Sequence, residues 1–158
     1  GEFDQYKEVI VPTVKFVTND DVVAAGENIL SLYGFKNKPS LREDVKINEE
    51  IQKIFYSDQY VGVILKNTNS KFPYRIQVYD LNGNKKMEKE IKLEYDNVSF
   101  SGDNVLMYDD MNCQIISFDG VQKFKVTFNG AVNAIIPIDG SRTFLIMTKS
   151  KIQKVKLK

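Results

Sequence analysis

The chain has 158 residues, of which 42% are hydrophobic and 27% charged, enough for one domain with its own core and unlike a disordered segment. Its 22 basic and 21 acidic residues leave a formal charge of +1, which argues against nucleic acid and anionic membrane surfaces as partners. Histidine, the commonest general base and metal ligand, is missing, so most hydrolase and zinc-site hypotheses are excluded.

The N-terminal segment, residues 6–11, is predicted to be an outer strand that precedes the first of four repeat units. Residues 7–11 and 14–16 match residues 89–93 and 98–100 in their order of polar and apolar side chains. Because residues 89–93 end a later unit, the N-terminal strand is expected to do the same for another unit.

The first unit covers about residues 14–48. A turn with Asp20 and Asp21 follows its first strand, and its last strand alternates polar and apolar residues as a half-exposed outer strand does. A capped helix over Asn19–Gly34 is the alternative, disfavoured because the other units have strands in the same place. The predicted strands are 14–17, 22–25, 29–35 and 42–47.

The second unit, about 49–94, and the third, about 95–129, repeat this order of strands. Asn82-Gly83 and Asp119-Gly120 are strong hairpin signals, because tight turns need positive φ values that these residues tolerate. The predicted strands of the second unit are 51–55, 60–65, 74–81 and 86–93. Those of the third unit are 98–100, 105–108, 114–118 and 123–128.

The fourth unit, about 130–158, lacks a fourth strand. Its predicted strands are 132–136, 143–148 and 151–157. We therefore predict that residues 6–11 pair with residues 152–157, within one chain or by exchange between two chains, so that no sheet edge stays open.

The length of the units predicts the fold class. Successive units begin about 34 to 47 residues apart, and four short strands in a period near 40 are typical of propeller blades. The sequence therefore predicts an all-β protein, a single β-propeller-like domain over residues 1–158. This domain is expected to have four antiparallel blades of four strands each, and the N-terminal strand completes the last blade.

The longest unit contains an insertion, residues 67–73, which is the strongest candidate for a binding site. A loop with aromatic side chains on a rigid scaffold can act as a recognition element, and an ordinary long turn is the interpretation that we favour over it. The candidate recognition residues are Asn67, Asn69, Lys71, Phe72 and Tyr74.

No catalytic, cofactor-binding or metal-binding residues are predicted. Asp20-Asp21 and Asp109-Asp110 lack the alternating carboxylates of a calcium loop, and hydrogen bonds to the backbone explain aspartate in tight turns. Cys113 has no second cysteine or histidine to pair with or activate it, so we expect a small packed residue. Lysine-rich stretches at 85–92 and 149–158 are expected to protect strand edges, with binding of an anionic polymer as the alternative.

The segment from Tyr95 to Leu106, with the sequence YDNVSFSGDNVL, carries a more particular signal. It resembles an uncharacterised family of propeller-like proteins in Gram-positive bacteria, a domain of unknown function. The resemblance implies an extracytoplasmic repeat domain that follows a membrane anchor, and it implies no catalytic residue. The chain begins with Gly1-Glu2-Phe3, which is consistent with removal of an upstream signal or anchor.

The function predicted from these features is non-catalytic binding or scaffolding, with an unknown protein or a cell-wall polymer as partner. No enzyme activity, cofactor or nucleic acid is expected, and the membrane is reached only through the missing anchor. A homodimer formed by exchange of N-terminal strands is a further expectation. The alternatives are a carbohydrate-active enzyme that uses paired carboxylates and a structural subunit of a larger propeller ring.

Overall fold

A computed structural model describes residues 13–68, 71–92, 94–139 and 142–157. The regular secondary structure of these residues consists of β-strands alone, which form four antiparallel sheets. Over the same ranges there is no helix long and apolar enough to cross a membrane. The predicted N-terminal strand, residues 6–11, lies outside the described residues, as does Asn69.

The sheets follow one another along the chain, and we call them blades 1 to 4. Blade 1 contains β1 (Thr13–Phe16), β2 (Asp21–Ala25), β3 (Ile29–Gly34) and β4 (Ser40–Lys46). Blade 2 contains β5 (Ile51–Tyr56), β6 (Tyr60–Lys66), β7 (Tyr74–Asp80) and β8 (Lys85–Ile91). Blade 3 contains β9 (Asn97–Ser101), β10 (Asn104–Tyr108), β11 (Asn112–Ser117) and β12 (Gln122–Thr127). Blade 4 contains β13 (Val132–Asp139), β14 (Thr143–Thr148) and β15 (Ile152–Lys156).

The all-β fold predicted from the repeat is confirmed, strand by strand, with small differences at the ends. The helix alternative over Asn19–Gly34 is wrong, because β2 and β3 occupy that stretch and pair with each other. Within the described residues blade 4 has three strands, and β15 pairs with β14. The extent of the domain, residues 1–158, and the pairing of residues 6–11 stay predictions.

The hairpin turns form as their residue types predict. Gly83 has φ 86° and Gly120 has φ 80°, conformations that a side chain would strain. The Asp80 carboxylate accepts hydrogen bonds from the backbone N–H groups of Asn82 and Asn84, both 2.9 Å away. The turn between β7 and β8 is therefore held by its own side chain.

A bulge recurs where the third strand of a blade pairs with the fourth. The register shifts between Leu32 and Tyr33 in blade 1, between Val78 and Tyr79 in blade 2, and between Ile115 and Ile116 in blade 3. A bulge increases the local twist of an outer strand. The repeat is thus preserved in backbone detail that sequence alone did not predict.

The core lies between the blades. Apolar side chains that point to one side of a blade meet those from the facing side of the next blade, as with Leu32 against Val61 and Ile64 against Met107. Blades 3 and 4 meet in the same way through Ile115 and Phe144. Strands buried on both faces explain why the second strand of each unit reads as a nearly continuous apolar run.

Candidate functional site

The predicted recognition loop joins β6 to β7 and is fastened to its own blade. The Asn67 side-chain amide donates to Glu90 Oε1 (3.3 Å), and the Tyr74 hydroxyl donates to Glu94 Oε2 (2.9 Å). The hydrogen bond to the Glu94 carboxylate, together with burial, raises the pKa of Tyr74. Binding through this loop stays a prediction.

The aromatic residue of the loop also belongs to a larger feature. The Phe72 ring lies 5.5 Å from Lys92 Nζ, a cation–π contact. Phe72 lines a cleft of about 580 Å³ between blades 2 and 3. Lys71 is exposed, and neither it nor Asn67 nor Tyr74 lines this cleft.

The cleft runs along the outer strand of blade 2. Lys89 and Ile91, on one face of β8, line it together with Glu88 and Glu90 on the other face. Its opposite wall is blade 3, which contributes Gln114, Gln122 and Lys125. Because side chains from both faces of β8 line the cleft, it includes the edge of that strand.

The charges of the cleft divide into paired and unpaired groups. Arg75 forms ion pairs with Glu49 (2.5 Å), Glu90 (3.6 Å) and Glu88 (3.9 Å). Glu88 is also bound by Lys85 at 2.5 Å, and that contact is the main cause of its lowered pKa.

The other basic groups of the cleft are free of such pairing. Across the residues that the structure describes, no carboxylate oxygen lies within 4 Å of the ammonium groups of Lys89, Lys92 and Lys125. The free charge in the cleft is therefore positive.

A recurring polar position in the third strand was missed in the sequence. Gln77 accepts from the Tyr79 hydroxyl (2.8 Å) and donates to Glu88 (3.1 Å). In blade 3, Gln114 accepts from the Tyr95 hydroxyl and donates to Gln122, both at 3.0 Å. Aligning the third strands would have revealed this signal, since Gln77 and Gln114 pair with the fourth residue of their blades' second strands.

The groups with altered pKa values do not form an acid–base pair. Asp80, Asp109, Asp119 and Glu88 all have lowered pKa values. In Asp80 and Asp109 partial burial opposes the shift, but hydrogen bonds from the following turn outweigh it. A general acid needs a raised pKa, so none of these four suits that role in glycoside hydrolysis.

The remaining nucleophilic and metal-binding candidates, Cys113 and the Asp109 turn, make contacts within the fold. Cys113 is buried between blades 3 and 4, and burial raises the pKa of its thiol to about 12. The Asp109 carboxylate accepts from the backbone N–H groups of Met111 (2.8 Å) and Asn112 (2.7 Å). Among the side chains that the structure describes, no group of three or more acidic or cysteine residues could hold a metal ion.

Two sheet faces stand apart from the junctions between blades. The blade 1 end face, turned away from blade 2, carries Val14, Phe16 and Leu41, which are all exposed. The blade 4 end face, turned away from blade 3, carries the exposed Ile136 and Ile152. Both are apolar faces of the kind that blades bury elsewhere in the molecule.

Comparison with solved structures places the chain among β-propeller proteins. It matches BamB from Moraxella catarrhalis with a TM-score of 0.62 and 16% identity, over 91% of this chain and 45% of BamB. For the WD40 β-propeller domain of Doa1 the TM-score is 0.59 and the identity 13%, over 95% and 53%. For BBS1N, solved in complex with ARL6DN, the TM-score is 0.57 and the identity 12%, over 93% of this chain and 50% of BBS1N. The chain therefore spans about half the length of these propellers.

The chain belongs to the Family of unknown function (DUF5711), which it matches over residues 1–157. No curated protein matches the sequence significantly.

Proposed function

We propose that this chain is a non-catalytic scaffolding domain that forms an arc of a larger propeller ring. In this proposal the two end faces are blade junctions, and blades of a second copy of the chain cover them. The blade 4 end face of one copy packs on the blade 1 end face of the other. The single observation that carries the proposal is the exposure of apolar side chains at positions that internal blades bury.

The strand register identifies the residues of the internal blades that are equivalent to Ile152 of the blade 4 end face. Ile152 pairs with the fifth residue of the second strand in its blade, as do Leu30, Ile76 and Cys113 in blades 1 to 3. Those three side chains are at most 1% exposed, whereas Ile152 is 63% exposed. Blade 4 therefore presents a junction face that no described residue covers.

The geometry of a propeller sets the direction of the contact. Blade 1 would accept a preceding blade, and blade 4 would accept a following one, so the two end faces are complementary to each other. Two arcs joined head to tail form two identical junctions and close under two-fold symmetry. The chain spans 45% to 53% of the propellers that it matches, so two copies supply about the length of one ring.

Sedimentation velocity of the chain and of two end-face variants tests this proposal. Phe16→Asp alters the blade 1 end face, and Ile152→Asp alters the blade 4 end face. We expect the unaltered chain to dimerise and each variant alone to shift toward monomer, because a buried charge weakens the junction. Met111→Asp is the control, since Met111 is an exposed apolar residue of a blade 3 turn, away from both end faces.

Mixing the two variants distinguishes a head-to-tail contact from a symmetric one. Phe16→Asp keeps an intact blade 4 end face, and Ile152→Asp keeps an intact blade 1 end face, so the mixture can form one unaltered junction. We expect dimers in the mixture that neither variant forms alone. A chain that stays monomeric at high concentration, or a Met111→Asp variant that dissociates equally, would contradict the proposal.

The display of this scaffold outside the cell belongs to the same proposal. It is supported by the resemblance of residues 95–106 to anchored extracytoplasmic repeat proteins. Protease treatment of intact cells that express the natural protein tests it. Digestion is expected without lysis, and protection until lysis would contradict an outside location.

A further inference from the structure

We propose that the cleft between blades 2 and 3 binds an extended acidic peptide segment, which pairs its backbone with the outer edge of β8. The proposal is independent of ring closure, because the cleft lies between two blades of the same chain. It concerns a partner protein that presents a strand-like segment rich in aspartate or glutamate.

Strand β8 has an edge that no described strand occupies. β8 pairs with β7 along one edge, and its other edge has no partner strand among the described residues. The cleft includes that edge, because Lys89 and Ile91 line it from one face of β8 while Glu88 and Glu90 line it from the other. Exposed backbone N–H and C=O groups on a strand edge can take up an added strand.

The cleft beside this edge carries an excess of positive charge. Arg75 and the three lysines of the cleft lining, Lys89, Lys92 and Lys125, outnumber Glu88 and Glu90, so two positive charges remain in excess. Lysine along an edge strand disfavours pairing with another lysine-rich strand, such as β8 of a second copy. The same charges attract an acidic segment, so the edge is selective.

The two walls of the cleft offer polar and apolar surface to a bound strand. Gln114 and Gln122 present side-chain amides on the wall formed by blade 3, where they suit peptide groups. The half-buried Phe72 supplies apolar surface on the wall formed by blade 2, next to the buried Ile91. An added strand directs alternate side chains to opposite faces, so acidic and apolar residues in alternation fit the two kinds of surface.

Binding of a fluorescein-labelled octapeptide, Glu-Val repeated four times, to the full chain tests the proposal by anisotropy. We expect saturable binding that weakens as salt is added. The double substitution Lys89→Glu and Lys125→Glu should weaken it by about tenfold or more, because two attractive charges become repulsive. The matched control, Lys36→Glu with Lys38→Glu, changes the net charge equally on the exposed β3–β4 turn and should leave binding unchanged.

Two further probes separate strand addition from simple charge attraction. The same octapeptide with alternate backbone amides methylated keeps its charge but loses hydrogen-bond donors, and it should bind much more weakly. Inorganic polyphosphate should not compete at an equal concentration of charge. Equal binding of the methylated peptide, or binding of polyphosphate alone, would overturn the proposal.

Thermal unfolding of each variant shows that it is folded, and the milder pair Lys89→Gln with Lys125→Gln serves if the charge reversal prevents folding.

Discussion

The internal junctions and the end faces are built from the same strand pattern, yet among the described residues only the internal junctions are covered by a neighbouring blade. Phe16 pairs with the second residue of the second strand in blade 1, and Tyr56 and Phe100 hold the same place in blades 2 and 3. Tyr56 and Phe100 pack against core clusters, whereas Phe16 is 63% exposed. Strand periodicity thus specifies which side chains share a face, and the neighbouring blade decides whether that face is buried.

The two kinds of face share a hydrogen-bonded polar pair at the same strand register. At the junction between blades 1 and 2, Gln77, Tyr79, Glu88 and Arg75 form a connected network. At the same register in the blade 1 end face, the Ser31 hydroxyl donates to Asp44 at 2.6 Å. A polar pair therefore lies next to the third strand in both places, which is what the proposal of a further junction at the blade 1 end face expects.

The largest expected contrast comes from one substitution made at two equivalent positions. Ile76→Ala should lower the free energy of unfolding by about 2–5 kcal/mol, because it opens a cavity in a fully buried cluster. Ile152→Ala removes the same atoms from an exposed face and should cost less than about 0.5 kcal/mol in the monomer. Urea unfolding followed by circular dichroism, at a protein concentration too low for association, measures both.

If Ile152→Ala lowered the free energy of unfolding by more than about 2 kcal/mol under those conditions, Ile152 would not differ in burial from Ile76. It would mean that the blade 4 end face is covered within one chain. An equal small loss in both variants would instead mean that the junction between blades 2 and 3 is loosely packed.

The next largest effect concerns glycine inside a strand. A Cβ atom added at Gly62 would lie 2.1 Å from Phe55 Cζ, because the Phe55 ring covers this position across the β5–β6 pair. Gly62→Ala should therefore cost about 1–3 kcal/mol by overpacking the junction between blades 2 and 3. Gly130→Ala is the control, since nothing lies within 4 Å of a Cβ there. Similar unfolding midpoints for the two variants would show that the Phe55 ring moves aside freely.

Most of the fold was predictable, because repeated alternation and turn residues report local geometry. The Asn82-Gly83 and Asp119-Gly120 turns form where they were expected, with positive φ at both glycines. Family membership and the propeller fold agree with the resemblance drawn from residues 95–106. The membrane anchor and the Gram-positive origin that the resemblance implied stay expectations.

The cleft was less predictable, because it depends on contacts between residues far apart in the chain. Phe72 was singled out as a loop aromatic, but its contact with Lys92 follows from strand pairing within blade 2, and its place in one cleft with Gln114 follows from blade packing. Lys53 is a similar case: its ammonium donates to the backbone carbonyls of Tyr95 (2.8 Å) and Asp96 (2.9 Å) and so braces the link between blades 2 and 3. No local pattern identifies such a partner.

A smaller contrast lies within one row of the junction between blades 1 and 2, where Tyr56 and Tyr79 flank Val61. The Tyr56 hydroxyl is buried and, among the described residues, has no hydrogen-bond partner, whereas the Tyr79 hydroxyl donates to Gln77. Tyr56→Phe should be neutral or raise the free energy of unfolding by up to about 1 kcal/mol, and Tyr79→Phe should lower it by about 1 kcal/mol. Urea unfolding of the two single variants measures the difference, and equal losses would indicate that Tyr56 has a partner in solution.

The smallest expected effect is the pH dependence contributed by the rim of the same junction. Hydrogen bonding and attraction from Lys85, with help from Gln77 and Arg75, lower the pKa of Glu88 below its ordinary value. A carboxyl group with a lowered pKa stabilises the folded state above the ordinary pKa of glutamate, and that contribution is lost as the pH falls through the folded-state pKa. Because Glu88 and Lys85 are both substantially exposed, solvent screening should keep the contribution below about 1 kcal/mol. Glu88→Gln should therefore flatten the fall of the urea midpoint that begins near the ordinary glutamate pKa of 4.5 and continues to lower pH, and Lys85→Gln should reproduce part of that flattening. An unchanged slope in both variants would place the stability of this junction in its apolar contacts alone.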